Sequence, residues 1–357
     1  MRFIYSVLIL IIVILPVFCN AQQREVIAEQ GEGIYRLLTR NGLSYSEYND
    51  AFIKLNKNRL GSNNTLLAGV KYILPDVKTN QVSTSALPAT TATSSTSTST
   101  TTTSSTSQGK IGTVEVHNIF GPAYKNVEIT GNRLNGAVYY LVPGHGGPDP
   151  GAEGRYGNHK LSEDEYAYDI TLRLARNLIQ EGATVYMIVI DPNDGIRDES
   201  ILNASTNEVC YPNLPIPRNQ LERLKQRTDA VNKLYAQNKN AFQRMICIHI
   251  DSRTHSQNID VFFYHDKRST KGEKAAKILQ QTFQEKYRIN QPGRGYKGTV
   301  TSRNLYELRN SHPVAVFIEL GNINHQRDQQ RFVNVNNRQA LANWLRDGLI
   351  TDFQTNK

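Results

Sequence analysis

The chain has 357 residues, 39% of them hydrophobic, and carries 41 Lys and Arg against 32 Asp and Glu, a formal charge of +9. That length leaves room for a sizeable core plus an accessory module, and the charge favours an anionic partner. Three cysteines are too few for a disulfide scaffold, and no Lys/Arg run with interleaved aromatics occurs, which argues against nucleic acid.

Residues 1–21 read as a cleaved secretory signal: Arg2, an apolar run from Phe3 to Phe18, then a small-residue exit at Cys19-Asn20-Ala21. An uncleaved anchor is the alternative, although the run is shorter than the roughly 20 residues that span a bilayer. Bulky Phe18 disfavours a lipid anchor on Cys19. Export to the periplasm or cell envelope follows, leaving Cys210 and Cys247 with one optional bridge between them.

Residues 22–80 fit a small β-α-α-β unit. Ile34, Leu37 and Leu38 recur at helical spacing, as do Phe52 and Leu55, while Val70, Tyr72 and Leu74 alternate as a strand. Gly31-Glu32, Asn56, Gly69 and Pro75 occupy the places of the lysin-motif pattern, which the segment resembles, with Gly33 in place of the usual hydroxyl residue. The resemblance implies that residues 26–75 bind the N-acetylglucosamine-containing glycan strand of peptidoglycan. Residues 81–108 follow, nearly all Ser, Thr or Ala between Ser83 and Ser107, too polar to fold and read as a disordered tether. Its typical reach is on the order of 25–30 Å. Residues 109–136 suggest short lead-in strands around Val114, Val116, Val127 and Ile129, without an evident role.

From 137 to 357 strands and helices alternate, which predicts an α/β fold with a twisted, mainly parallel or mixed sheet flanked by helices. Strands are expected at Ala137–Val142, Thr184–Ile190, Met245–Ile250, Val261–Tyr264 and Val314–Glu319. Helices are expected near Glu165–Gln180, Asn219–Ala236, Lys271–Phe283 and Arg338–Ile350. Residues 191–216, rich in Pro, Asn, Asp and Gly, read as a long surface insertion, either an idle loop or a lid.

Polar residues close these strands. Gly144-His145-Gly146-Gly147 follows the first, His249 ends Met245-Ile246-Cys247-Ile248-His249, and Glu319 ends Val314-Ala315-Val316-Phe317-Ile318-Glu319. Ligands in open α/β sheets gather beyond the carboxyl ends of strands, so these residues are expected to meet in one crevice. Hydrolytic zinc is typically held by three His or carboxylate ligands, a set that His145, Glu163 and His249 supply, leaving Glu319 to move a proton. Cys247 shares a strand face with His249 by the period-two rule, but core packing is its simpler role.

The ordered series Pro143-Gly-His-Gly-Gly-Pro-Asp-Pro-Gly-Ala152, Glu163 before a helix, Ile248-His249-Ile250-Asp251 and Ile318-Glu319-Leu320-Gly321-Asn322-Ile323-Asn324 resembles the zinc-dependent type 3 N-acetylmuramoyl-L-alanine amidases. The resemblance implies Zn²⁺ on His145, Glu163 and His249, and Glu319 as catalytic carboxylate. It assigns supporting or substrate-binding places to Arg227, Arg309, Asn324 and Asp251. Glu165 lies close enough to Glu163 to compete for the second ligand position, in a long loop-to-helix stretch after Gly151. The long inhibitory helix of some relatives is missing after His249, so the cleft is expected to be open without a separate activator, with a protein activator as the alternative partner. His159, His255, His265, His312 and His325 read as ordinary surface histidines. Two rival functions stay open: an inactive peptidoglycan-binding scaffold, and a zinc peptidase cutting within the stem peptide.

Overall fold

The computed structural model describes residues 24–29, 33–41, 43, 45–61, 66–76 and 110–357. The expected signal segment, the Ser/Thr-rich tether and Gly31-Glu32 lie outside the described residues. No helix among the described residues is long and apolar enough to cross a membrane. Contacts divide the chain into two compact units.

The first unit runs β1 (Glu25–Ile27), α1 (Ile34–Arg40), α2 (Tyr45–Asn56) and β2 (Lys71–Ile73). The two strands pair antiparallel, Glu25 opposite Ile73 and Ile27 opposite Lys71. Leu37, Leu38, Phe52 and Tyr72 form a closed core beneath them, as the helical and alternating spacings require. Asn56 is buried because it works as a backbone surrogate: its Nδ2 donates to Ile73 O and its Oδ1 accepts from Ile73 N, both at 2.8 Å. The helix end and the last strand are thereby locked together.

The second unit opens with the hairpin β3 (Val114–Val116) and β4 (Asn126–Glu128), continues into β5 (Ala137–Pro143), and adds a small hairpin, β6 (Glu153–Tyr156) with β7 (His159–Ser162). Then come α3 (Glu163–Gln180), β8 (Thr184–Met187), β9 (Val189–Ile190), β10 (Val209–Cys210), β11 (Leu214–Pro215) and α4 (Gln220–Gln237). The chain finishes through β12 (Phe242–Asp251), β13 (Phe262–His265), α5 (Thr270–Asn290), β14 (Val300–Ser302), α6 (Tyr306–Asn310), β15 (Val314–Asn322), α7 (Gln326–Val333) and α8 (Val335–Asn356).

Six strands form the main sheet in the order β14-β13-β15-β12-β5-β8. Its centre is parallel, β8 with β5, β5 with β12 and β12 with β15, and β13 runs antiparallel to β15, so the sheet is mixed. Every residue of β5 is buried, as expected of a strand flanked on both sides and covered on both faces. Period two then sorts the side chains. Tyr140, Val142, Met245, Cys247, Ala315 and Phe317 pack with Val231 and Leu234 of α4 and with Leu308 of α6. His249 and Glu319 continue those rows, which sends both toward the face that α4 and α6 cover.

Two readings of the sequence need correction here, and the lead-in strands gain detail. The stretch after Gly151 is the β6–β7 hairpin rather than a plain loop. The lead-in strands join the larger unit: Tyr124 Oη donates to Asp198 Oδ2 at 2.6 Å, and Thr130 N bonds Gln180 O at the end of α3. Residues 191–216 are no idle surface loop either, since Asp191, Ile196, Leu202, Glu208, Cys210 and Ile216 are buried.

Paired charges inside the fold hold that segment. Asp169 of α3 is buried, and its Oδ2 accepts from Arg173 Nε at 2.8 Å and Arg338 Nε at 2.6 Å, while its Oδ1 accepts from Arg197 N at 2.8 Å. Arg338 reaches on to Arg197 O and Glu199 O. Burial alone would raise the Asp169 carboxyl; Arg173 and Arg338 more than reverse this and hold it low. Asp169→Asn removes the buried counter-charge that Arg338 and Arg173 share, leaving Arg173 with Asp198 at 3.1 Å, and is expected to cost about 3–5 kcal/mol, read from the urea midpoint of the full chain. A depressed carboxyl contributes stability that is complete above its unfolded value, roughly 3.9, and fades as pH falls through its folded value. Asp169→Asn should therefore flatten the acid limb of the stability curve below about pH 4; an unchanged limb contradicts this account.

Candidate metal centre

The Gly-His-Gly-Gly turn folds as its glycines dictate. His145 itself takes φ 60°, followed by Gly146 at 96° and Gly147 at 64°, a left-handed run that a side-chain-bearing residue enters only when its surroundings compel it. Those surroundings are specific. Gly146 N bonds Asp149 O at 2.8 Å, Gly147 N bonds Glu208 Oε2 at 2.7 Å, and the Arg227 guanidinium donates to His145 O. The imidazole is thus aimed off the end of β5.

Glu163 is the first residue of α3. Its Oε1 accepts from Ile250 N at 3.0 Å and lies 2.9 Å from His249 Nδ1. Its Oε2 accepts from Ala152 N at 2.8 Å and lies 3.2 Å from His145 Nε2. Two ligands of one tetrahedral zinc ion, each about 2.0–2.1 Å from it, sit roughly 3.3 Å apart, so these spacings are those of atoms able to share an ion. One donor atom from each of His145, Glu163 and His249 lies within 4.8 Å of the others. Asp149 Oδ2 contacts His145 Nδ1 at 2.9 Å and is itself held by Arg223 at 2.5 Å, fixing the ring. The His249 ring stacks on Phe317, centroids 4.2 Å apart.

Two glycines leave space that these groups fill. A Cβ on Gly144 would stand 2.4 Å from His249 Nδ1, and one on Gly151 would stand 2.7 Å from Glu163 Oε2 and 2.6 Å from His145 Cδ2. With its ring pinned against Phe317, His249 has little room to yield. Were this donor group to hold a metal ion, Gly144→Ala is expected to weaken its binding about 10–100-fold, as disturbance of a ligand's support does, with helix content unchanged. Equilibrium dialysis checks this, and wild-type affinity would contradict it.

Glu319 pairs in register with His249 across the parallel strands β12 and β15. It is buried, and its Oε2 has no hydrogen-bond partner. His249 Nε2 is likewise buried without one. Burial, with Glu163 and Asp251 nearby, holds the Glu319 carboxyl well above the ordinary range. Burial pulls the other way on His145, but hydrogen bonds to Asp149 and Glu163 raise it to about 10. Burial also drives the Cys247 thiol far up; both Cys247 and Cys210 are free and buried, so no bridge links them and Cys247 stays in the core.

Glu165 is engaged elsewhere, with Arg197 at 2.7 Å and Ser205 N at 2.5 Å, which leaves Glu163 to the histidines. It shares a second acidic group with Asp164 and Glu208. His145, Glu163, His249, Asp251, Arg227 and Glu319 all line one cleft of about 330 Å³. Arg309 and Asn324 are not among its lining residues. Arg309 bonds Asn304 Oδ1 at 2.9 Å, and Asn324 bonds Ser252 Oγ at 3.0 Å, so both brace loops. His255 bonds Asn324 O at 2.8 Å, and His159, His265, His312 and His325 do not join the donor group. Sequence reasoning missed Asp149, Arg223, Arg303, Tyr306 and Glu307 in the cleft wall. Only Asp149 carried a signal, an acid four residues after His145 within a Pro-Asp-Pro turn.

Comparison with known proteins bears on this geometry. The family model described as N-acetylmuramoyl-L-alanine amidase matches residues 140–351. The probable cell wall amidase LytH of Staphylococcus aureus is 27% identical over 222 residues, 62% of this chain and 60% of LytH, so the chain spans about three fifths of that relative's length. Among solved structures, an N-acetylmuramoyl-L-alanine amidase from Clostridium difficile 630 is 20% identical, with 62% of this chain and all of that one covered and a TM-score of 0.45. Ami1 from Mycobacterium smegmatis is 17% identical, covering 62% and 99%, with a TM-score of 0.46. The family match takes in more than half of the sequence and all of His145, Glu163, His249 and Glu319, and the chain belongs to the N-acetylmuramoyl-L-alanine amidase family.

Proposed function

We propose that the chain is an exported amidase hydrolysing the bond between N-acetylmuramic acid and the L-alanine of the peptidoglycan stem peptide. In this reading Zn²⁺ is held by His145, Glu163 and His249, and Glu319 carries the proton. The observation that supports it is two imidazoles and a carboxylate converging on one point, beside a buried carboxylate oxygen that no protein group satisfies. Two histidines and a glutamate are a donor set that suits zinc.

When bound, zinc supplies Lewis acidity, activating water and polarising the scissile carbonyl. The chain's own residues do the rest. Ala152 N and Ile250 N orient Glu163, Asp149 fixes the His145 ring, and Phe317 fixes the plane of His249. Glu319 takes a proton from the attacking water at its unpartnered Oε2 and passes it to the departing amine of L-alanine. Positive charge at the donor set opposes the upward shift that burial and the neighbouring carboxylates impose on Glu319. Coil and turn rather than helix join β12 to β13, which supports a reading without an inhibitory helix at that place.

For residues 26–75 the same reading assigns glycan docking, supported by the β-α-α-β order and the buried Asn56. A tethered docking unit raises the local concentration of substrate at the cleft. Digestion of purified sacculi tests the proposal. Stem peptides with free L-alanine amino termini and no new reducing sugars are expected, whereas termini within the stem would mark a peptidase instead.

A further inference from the structure

Among the described residues, four polar atoms in this cleft are buried without a hydrogen-bond partner: His249 Nε2, Glu319 Oε2, Arg227 Nε and Glu307 Oε1. His249 is a member of the proposed donor set, Glu319 Oε2 belongs to the proton transfer proposed above, and Arg227 is tied by its other nitrogen to His145 O. Glu307 has no such explanation. It sits in the first turn of the five-residue α6, only 3% exposed, and lines the cleft beside Leu305 and Tyr306. Its Oε1 takes none of the free N–H groups of that turn.

The other charges around it are already engaged. Asp149 binds Arg223, Asp251 binds Arg253 at 2.6 Å, and Glu163 faces both histidines. Arg303 lies with its guanidinium 4.8 Å from the Tyr264 ring centroid. A buried carboxylate with one oxygen unsatisfied is costly unless a donor, preferably a cationic one, meets it. In a substrate cleft that donor arrives with the substrate.

We infer that Glu307 is a specificity-determining residue that receives an ammonium group of the substrate, the side-chain amine of the diamino acid in the stem peptide. The inference rests on the amidase reading and deepens it. Glu307 and the proton carrier stand on different elements, α6 and β15, so binding of the peptide is separated from turnover at its amide. A charge-assisted hydrogen bond formed out of bulk water discriminates strongly against a substrate lacking the charge.

The test uses the full-length zinc-loaded protein and two muramoyl tripeptides that differ only in whether the third residue's side-chain amine is free or N-acetylated. Wild type should cleave the free-amine substrate with kcat/KM at least about tenfold higher. Glu307→Gln should bring that ratio near one, and Glu307→Asp should keep part of it. The ratio is internal to each variant, so partial loss of folded protein does not disturb it. Equal cleavage of both substrates by wild type would overturn the inference and leave the amidase reading standing. A preference that survives in Glu307→Gln, or an equal loss on both substrates, would also overturn it. Cleavage of neither by wild type would remove the amidase reading and this inference with it.

Discussion

Glu319→Ala is expected to lower cleavage of purified sacculi by about 10²–10⁴-fold, the range typical of a lost general acid–base group, while zinc content stays at the wild-type level. The side chain is not a member of the donor group, so its removal leaves His145, Glu163 and His249 in place. Its unpartnered Oε2 is the atom available to a water and an amine, and the two carboxylates that act on it electrostatically are engaged, Asp251 with Arg253 and Glu163 with the histidines. The loss should fall on kcat more than on KM, because the proton moves only in the transition state. Glu319→Gln, which keeps shape and removes basicity, should lose as much. Turnover at the wild-type rate in either variant would remove Glu319 from the mechanism.

Removal of metal should be as severe. Protein treated with a zinc chelator is expected to release no L-alanine termini, and to recover when Zn²⁺ is returned. Glu163→Gln should lower zinc affinity by more than the roughly 10–100-fold that loss of a supporting partner costs. The expectation comes from the position of Glu163: both its oxygens lie between histidine nitrogens, and two backbone N–H groups hold it there. Competition against a chelating dye measures the affinity. Unaltered zinc binding in Glu163→Gln would shift the ligand role to another acid, with Glu165 first in line.

The centre of this site was legible in the sequence because it is written in strands. Alternation along Met245, Cys247 and His249, and along Ala315, Phe317 and Glu319, decides which face each terminal residue shares, and parallel pairing puts the two ends side by side. The walls were not legible. Arg223 and Glu307 stand on helices whose polar residues look alike in sequence, and only the packing of α4 against α6 decides which of them reach the cleft. Polar composition also misled for residues 191–216, because a loop can be buried when its charges are paired, as Arg197 is with Glu165 and Asp194. The β6–β7 hairpin did carry a sign: Gly157-Asn158 between Tyr156 and His159 is a two-residue turn with its glycine at φ 59°.

His249 and Glu319 face each other from neighbouring strands bonded along their whole length, from Arg244 opposite Val314 up to this pair. In the roles proposed for them, ion holder and proton carrier therefore belong to one pair of strands rather than to separate loops. Under the proposed function, selection of the peptide would fall to the helical rim, which makes α4 and α6 the places to re-engineer for a different substrate while the paired strand ends are left untouched.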